Sequence, residues 1–229
     1  MDKQFGLIFD VDGVIADTER VNAEASIKVF ADLFGVAGVR RADFEAGLGR
    51  GAAEYVRSAA RVHGLELSDE QVTAASEARQ SNFLAMLEAE ALPAFPGVLE
   101  LMHAAMESGR FRVGIATSST REKSEAVLKS AGVPYTEMVY VTGSDVTHKK
   151  PHPELFLTAA EKLGLAPARC VVIEDAPNGV EAAGAAGCRC IAVTNSAGRD
   201  KLKDADRIVD SLAELDLQAL EILLDRVGE

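Results

Sequence analysis

Phe5-Gly6-Leu7-Ile8-Phe9-Asp10-Val11-Asp12-Gly13 is the stretch on which the reading of this chain turns. Five apolar residues run without polar alternation and stop on two carboxylates and a glycine. A run of that length bounded by a turn signal predicts a strand, and the missing alternation predicts one covered on both faces, as in a parallel sheet. Asp-x-Asp-Gly also opens calcium loops, but those need Asp or Asn at the fifth position and Gly at the sixth. Here Val14 and Ile15 stand there, after a strand rather than a helix.

Downstream of the turn the pattern changes twice. Residues 21–34 have helical spacing at Val21, Ala25, Ile27, Phe30 and Phe34, closed by Gly35, and further helix-like stretches cover 42–63 and 69–90. No buried-strand signal occurs between 18 and 91. After Pro93-Ala94-Phe95-Pro96-Gly97 helices and strands alternate: helix 98–107, strand 112–117, helix 121–131, strand 138–142, helix 153–163, strand 170–174, helix 179–186 and strand 190–194. An edge strand at 207–210 and a last helix at 212–226 complete the series. Such alternation builds a parallel sheet with right-handed crossovers. The expected fold is therefore α/β, a Rossmann-like parallel sheet formed by residues 1–17 and 92–229, with an α-helical cap domain, 18–91, inserted after the first strand.

Composition narrows the partners. Net charge is −12, which repels a nucleic-acid backbone, and no basic stripe interleaved with aromatics offsets it. No apolar run approaches the ~20 residues of a membrane span. The start of the chain lacks the charged, apolar and small-residue regions of a signal peptide, so a cytoplasmic protein is expected. Cys170, Cys188 and Cys190 are an odd set without zinc-like spacing and read as small buried thiols.

A parallel sheet binds its ligands outside the carboxyl ends of its strands. The residues expected there are Asp10 and Asp12, then Thr117, Ser118 and Ser119, then Lys149 and Lys150, then Glu174 and Asp175. Each group alone has an ordinary reading: a polar turn, a strand-end turn or helix cap, a solvated loop, and a helix N-terminal carboxylate pair. Together they are complementary. Clustered carboxylates repel one another unless a cation sits among them, and an oxygen-only donor set suits Mg²⁺ with a phosphate.

In this order the motifs resemble those of the haloacid-dehalogenase-like superfamily. They are Phe9-Asp10-Val11-Asp12-Gly13-Val14-Ile15-Ala16-Asp17-Thr18, Ile115-Ala116-Thr117-Ser118-Ser119, His148-Lys149-Lys150-Pro151-His152-Pro153-Glu154 and Val172-Ile173-Glu174-Asp175-Ala176-Pro177-Asn178-Gly179-Val180. The helical insertion is similar to the cap of the subgroup that contains β-phosphoglucomutase and sugar-phosphate phosphatases. The family's dehalogenases lack the second Asp of the first motif, which this chain keeps as Asp12.

The resemblance implies a phosphoric monoester hydrolase that takes a small phosphorylated metabolite and uses Mg²⁺; a monomer is the default expectation. It makes Asp10 the nucleophile that becomes an aspartyl-phosphate, and Asp12 the acid and base. Thr117 and Ser118 would hold phosphoryl oxygens, and Lys150 would neutralise charge among Asp10, Asp175 and the phosphoryl group. Asp10, the Asp12 carbonyl and Asp175 would bind the metal, with Glu174 direct or through water. Thr18, Asn22, Arg50 and Arg79 would recognise substrate from the cap. β-Phosphoglucomutases carry His at the position of Asn22, and Asn cannot shuttle a proton. That departure favours a phosphatase over a mutase; a non-catalytic phospho-ligand-binding protein is the reading from another class.

Overall fold

The computed structural model describes residues 5–47 and 51–225. By internal contacts the chain divides into two compact units, Met1–Asp17 with Leu92–Glu229, and Thr18–Ala91.

The first unit is a six-stranded parallel sheet. Its elements in chain order are β1 (Phe5–Phe9), α4 (Val98–Glu107), β2 (Phe111–Ala116), α5 (Arg121–Ser130), β3 (Val139–Val141), α6 (Glu154–Leu163), β4 (Cys170–Glu174), α7 (Pro177–Ala186), β5 (Arg189–Val193), β6 (Arg207–Val209) and α8 (Leu217–Asp225); α1–α3 belong to the second unit. Strand order is β3-β2-β1-β4-β5-β6. The chain thus builds outward in one direction from β1, then returns to its other side with β4. The crevice at that reversal is where doubly wound sheets bind ligands. All five residues of β1 are buried, and so are all five of β4.

Pairing fixes the level of the strand ends. Phe9 lies opposite Ile115 on β2 and Ile173 on β4. The ladder continues one step, because the Asp10 amide donates to the Ile173 carbonyl at 3.0 Å. Asp10, Thr117 and Glu174 therefore leave three adjacent strands at nearly one height. Below them Ile8, Val172, Phe156, Leu155 and Ala183 share one apolar cluster. Burying such side chains contributes ~1.5–3 kcal/mol each for the larger ones, and it anchors the strands that carry the site. Gly97 permits a further close approach: at φ +87° a β-carbon there would lie 2.1 Å from the Ala213 nitrogen.

The second unit is helical: α1 (Thr18–Phe34), a 3₁₀ segment Arg41–Gly47, α2 (Ala52–Val62) and α3 (Asp69–Ala89). It has its own core, in which Phe30 meets Phe44 edge-on at 5.8 Å and Phe44 stacks on Tyr55 at 4.8 Å. A capping box starts α3, with the Ser68 hydroxyl accepting from the Gln71 amide and the Gln71 side chain accepting from the Ser68 amide.

Two expected helices are broken. Among the described residues 42–63 is not continuous but a 3₁₀ segment and then α2. Interior glycines cost about 1 kcal/mol each in a helix, and Gly47 serves packing instead: a β-carbon there would lie 2.5 Å from the Tyr55 Cα. Likewise 212–226 splits into a 3₁₀ turn, Leu212–Glu214, and α8. A Ser211–Glu214 capping box starts the first, and the Asp216 carboxylate accepts from the Ala219 amide to start the second. No helix among the described residues is long and apolar enough to cross a membrane.

Candidate active site

Asp10 follows β1 and is only 5% exposed. Lys150, from the β3–α6 loop, reaches it: its Nζ donates to Asp10 Oδ1 at 2.5 Å and to Glu174 Oε1 at 2.6 Å. The ammonium also lies 4.9 Å from the centre of the Phe156 ring. Glu174 is fully engaged. Its Oε2 accepts from the amides of Asp175 (2.9 Å) and Ala176 (3.1 Å), which satisfies donors at the entry to α7. Gly179 leaves the space for that carboxylate, since a β-carbon there would lie 1.8 Å from Glu174 Oε1. Asp175, 3% exposed, accepts from the Ser196 hydroxyl. It packs against the turn after β1, where a β-carbon on Gly13 would lie 1.8 Å from Asp175 Oδ2. Asn195 ties the turn down by donating from Nδ2 to the Gly13 carbonyl at 2.8 Å.

Three buried carboxylates thus share one buried ammonium. Burial pushes the Asp10 carboxyl up to about 7, with Lys150 opposing and Glu174 and Asp12 adding to the rise. Burial, together with Glu174 and Asp10, likewise holds Asp175 well above the ordinary carboxylate range. For Lys150, burial alone would favour the neutral amine, but Asp10 and Glu174 reverse this and keep it charged. If all three carboxylates ionise, two negative charges remain in the pocket once Lys150 is counted, and the raised Asp10 and Asp175 record the cost of that excess. A divalent cation with hard oxygen ligands fits that excess.

Asp12 faces different neighbours. Its side chain is 32% exposed and accepts from Lys123 Nζ at 2.9 Å and Ser119 Oγ at 2.6 Å, with Thr117 Oγ1 at 3.5 Å. Lys123 lies in the first turn of α5, whose N-cap is Thr120. Thr117 is buried, and its hydroxyl also accepts from the Ser119 amide at 3.1 Å. Ser118 Oγ is buried and makes no hydrogen bond among the described residues. Gly143 seats the β3–α6 loop beneath these residues: its amide donates to the Ser119 carbonyl at 2.9 Å, and a β-carbon there would lie 2.2 Å from the Ser118 carbonyl oxygen.

The structure therefore brings together Asp10, Asp12, Thr117, Ser118, Lys150, Glu174 and Asp175 at one edge of the sheet. In the helical unit, Thr18 is buried at the start of α1 and the Asn22 carbonyl accepts from Ser26 Oγ at 2.8 Å. The Arg79 guanidinium lies 5.3 Å from the centre of the Tyr55 ring, and the Tyr55 hydroxyl donates to Glu19 Oε1 at 2.6 Å. Arg50 lies outside the described residues. Reasoning from sequence missed Lys123, Asn195 and Ser196. The last two follow β5 and could have been found by the same strand-end rule. Lys123 gives no signal beyond its place in the first turn of the helix that follows a strand end.

The family model of the haloacid dehalogenase-like hydrolases matches residues 6–187. Among curated relatives, the chloroplastic protein SUPPRESSOR OF QUENCHING 1 of Arabidopsis thaliana is 36% identical over 208 residues, covering 89% of this chain but only 19% of that much longer protein. Validoxylamine A 7'-phosphate phosphatase of Streptomyces hygroscopicus subsp. limoneus is 31% identical over 214 residues, covering 91% of this chain and 94% of its own length. CbbY from Rhodobacter sphaeroides, solved with phosphate, superposes with a TM-score of 0.81 at 30% identity, covering 94% of this chain and 98% of that one. An Asp-to-Asn variant of CbbY, solved with xylulose-1,5-bisphosphate, superposes at 0.78 with 29% identity, covering 92% and 95%. With the carboxylate-and-lysine edge, the extent of the family match and a relative alike over nearly its whole length, the chain belongs to the haloacid dehalogenase-like hydrolases.

Proposed function

We propose that this phosphoric monoester hydrolase removes phosphate from a small phosphorylated sugar by way of an aspartyl-phosphate on Asp10. The observation that carries the reading is the Asp10–Lys150–Glu174 set, in which a buried carboxylate is held at a fixed place by an ammonium that a second carboxylate orients. Asp10 attacks phosphorus in line with the leaving oxygen, which replaces one difficult displacement by two easier ones. Asp12 gives its proton to the departing sugar oxygen. It then takes a proton from the water that attacks the aspartyl-phosphate, and this releases inorganic phosphate and restores Asp10. Lys123 and Ser119 hold Asp12 in place for both transfers. Lys150, the Thr117 hydroxyl, and the unpartnered Ser118 hydroxyl with its backbone amide are the donors for phosphoryl oxygens.

Asp10, Asp175 and the Asp12 carbonyl would hold Mg²⁺, with Glu174 at most through water because Lys150 and two amides already occupy it. Bound there, the cation supplies Lewis-acid charge that lets an anionic nucleophile meet an anionic phosphate. The Thr18–Ala91 unit serves as the cap, with Thr18, Asn22, Arg50 and Arg79 as its substrate-recognition residues. The enzyme acts as a cytoplasmic monomer, a setting that suits three free, buried cysteines.

Hydrolysis rather than mutation rests on Asn22, which has no titratable proton. The test is to supply β-glucose 1-phosphate with a trace of the 1,6-bisphosphate, and separately a panel of sugar phosphates including xylulose-1,5-bisphosphate, and follow products by phosphorus NMR. Inorganic phosphate as the main product, dependent on Mg²⁺, is expected. Rapid formation of glucose 6-phosphate with little free phosphate would make the chain a mutase instead.

A further inference from the structure

The loop that delivers Lys150 has a second cluster on its outer side. His148, His152 and Glu154 each place one ligand atom so that all three lie within 4.8 Å of one another. The histidine rings are 4.6 Å apart, centre to centre. Nδ1 of His148 lies 2.9 Å from Glu154 Oε2. Nδ1 of His152 lies 3.9 Å from the same oxygen and accepts from the Glu154 amide at 3.2 Å, a contact that a metal ion would replace. Glu154 is itself held: its Oε1 accepts from the Thr147 amide and its Oε2 from the His148 amide, each at 2.8 Å. The carboxylate is therefore a fixed point, and the two half-exposed or more exposed rings converge on it. None of these three side chains has a part in the phosphoryl chemistry above.

We infer that His148, His152 and Glu154 form a binding site for a borderline transition-metal cation such as Zn²⁺, separate from the carboxylate site. Two imidazole nitrogens and one carboxylate oxygen match Zn²⁺, Cu²⁺ or Ni²⁺, whereas Mg²⁺ prefers oxygen alone. Ligands about 2.0–2.2 Å from a tetrahedral zinc stand roughly 3.3–3.6 Å from one another. The two contacts to Glu154 Oε2 bracket that separation, and rotation of exposed rings closes the remainder. Three protein donors leave a fourth position for water. Because His148 and His152 flank Lys150 in the chain, the site lies on the segment that also serves catalysis.

The test uses tag-free full-length protein with Mg²⁺ at saturation, so that the carboxylate site is occupied. Zn²⁺ binding is measured by equilibrium dialysis, and Cu²⁺ binding by electron paramagnetic resonance. The wild-type chain should take up one Zn²⁺, and the Cu²⁺ spectrum should show hyperfine structure from two nitrogens. His148→Ala or His152→Ala should weaken Zn²⁺ at least ~10-fold. The double variant should abolish uptake and the nitrogen signature, while keeping wild-type turnover in Mg²⁺, which shows that it is folded. Wild-type protein that takes up no Zn²⁺ below about 1 mM, or uptake that survives the double substitution unchanged, overturns the site. Cys170, Cys188 and Cys190 are all buried and so are not presented to a metal ion arriving from solvent.

Discussion

Asp10 and Asp12 stand two residues apart on one turn, yet their surroundings differ in kind. Asp10 is buried beside two more carboxylates and one lysine, on the side of the turn that faces β4. Asp12 is one-third exposed and is met by Lys123 and Ser119 from the β2–α5 side. The first environment fixes a charged group and raises the cost of every excess charge near it. The second holds a carboxylate within reach of water. A nucleophile needs the first and a proton carrier needs the second, so under the proposed mechanism the strand order that separates β2 from β4 across β1 also separates the two halves of the chemistry.

The contrast is sharpest under substitution. Asp10→Asn should lower turnover at least ~10³-fold, about 4 kcal/mol of barrier, for every substrate, since an amide is a poor nucleophile. Asp12→Asn should cost roughly 10²–10⁴-fold with a sugar phosphate, whose leaving oxygen needs a proton. It should cost distinctly less in the first chemical step with p-nitrophenyl phosphate, whose phenolate leaves unaided. Burst kinetics on the two substrates make the comparison, and equal losses in that step would deny Asp12 the role of acid. Lys123→Met should cost less again, roughly 10–100-fold in kcat with KM little changed, because it misplaces Asp12 without touching Asp10. Lys123→Arg should recover part of the loss.

The Asp10 side should also show in stability. Its carboxyl is raised from 3.8 to about 7. In the metal-free protein, between about pH 4 and 7, the folded state keeps a proton that the unfolded chain has released, so this group's contribution is full at low pH and is lost as pH rises through about 7. Asp175 is shifted in the same direction. A cation that replaces these protons reverses the loss. The rise in Tm on adding Mg²⁺ should therefore grow between about pH 5.5 and about pH 8, as read by calorimetry. A pH-independent rise would remove the buried carboxylates from the cation site. Ser196→Ala is the smallest change expected. It removes the hydroxyl that opposes the rise at Asp175 and should weaken half-saturation by Mg²⁺ a few-fold, about 1 kcal/mol.

Much of the sheet edge is legible in the sequence. A buried apolar run ending on Asp10 and Asp12 announces a strand end, and the parallel alternation after residue 97 places Thr117, Lys150 and Glu174-Asp175 at the same edge. The pairing of charges within the edge is corrected by the structure: the family resemblance sets Lys150 between Asp10 and Asp175, whereas its ammonium bonds Asp10 and Glu174. Glu174 and Asp175 are chemically alike, and only the fold turns Glu174 to Lys150 and the α7 amides and leaves Asp175 beside Gly13. Lys123 sits in Arg121-Glu122-Lys123, which reads as a solvated helix start until α5 is docked. The continuous helix expected over 42–63 fails because periodicity extends through Gly47 and Gly51, while close approach to Tyr55 requires the first of these glycines.

Acid-quenched single turnover with a ³²P-labelled substrate tests the central claim most directly. The account predicts transient label on the protein, stable in acid, released by hydroxylamine as an acyl phosphate, mapping to the peptide that contains Asp10 and absent from Asp10→Asn. Phosphate released at full rate with no protein-bound label at any time, or label that persists in Asp10→Asn, would contradict it.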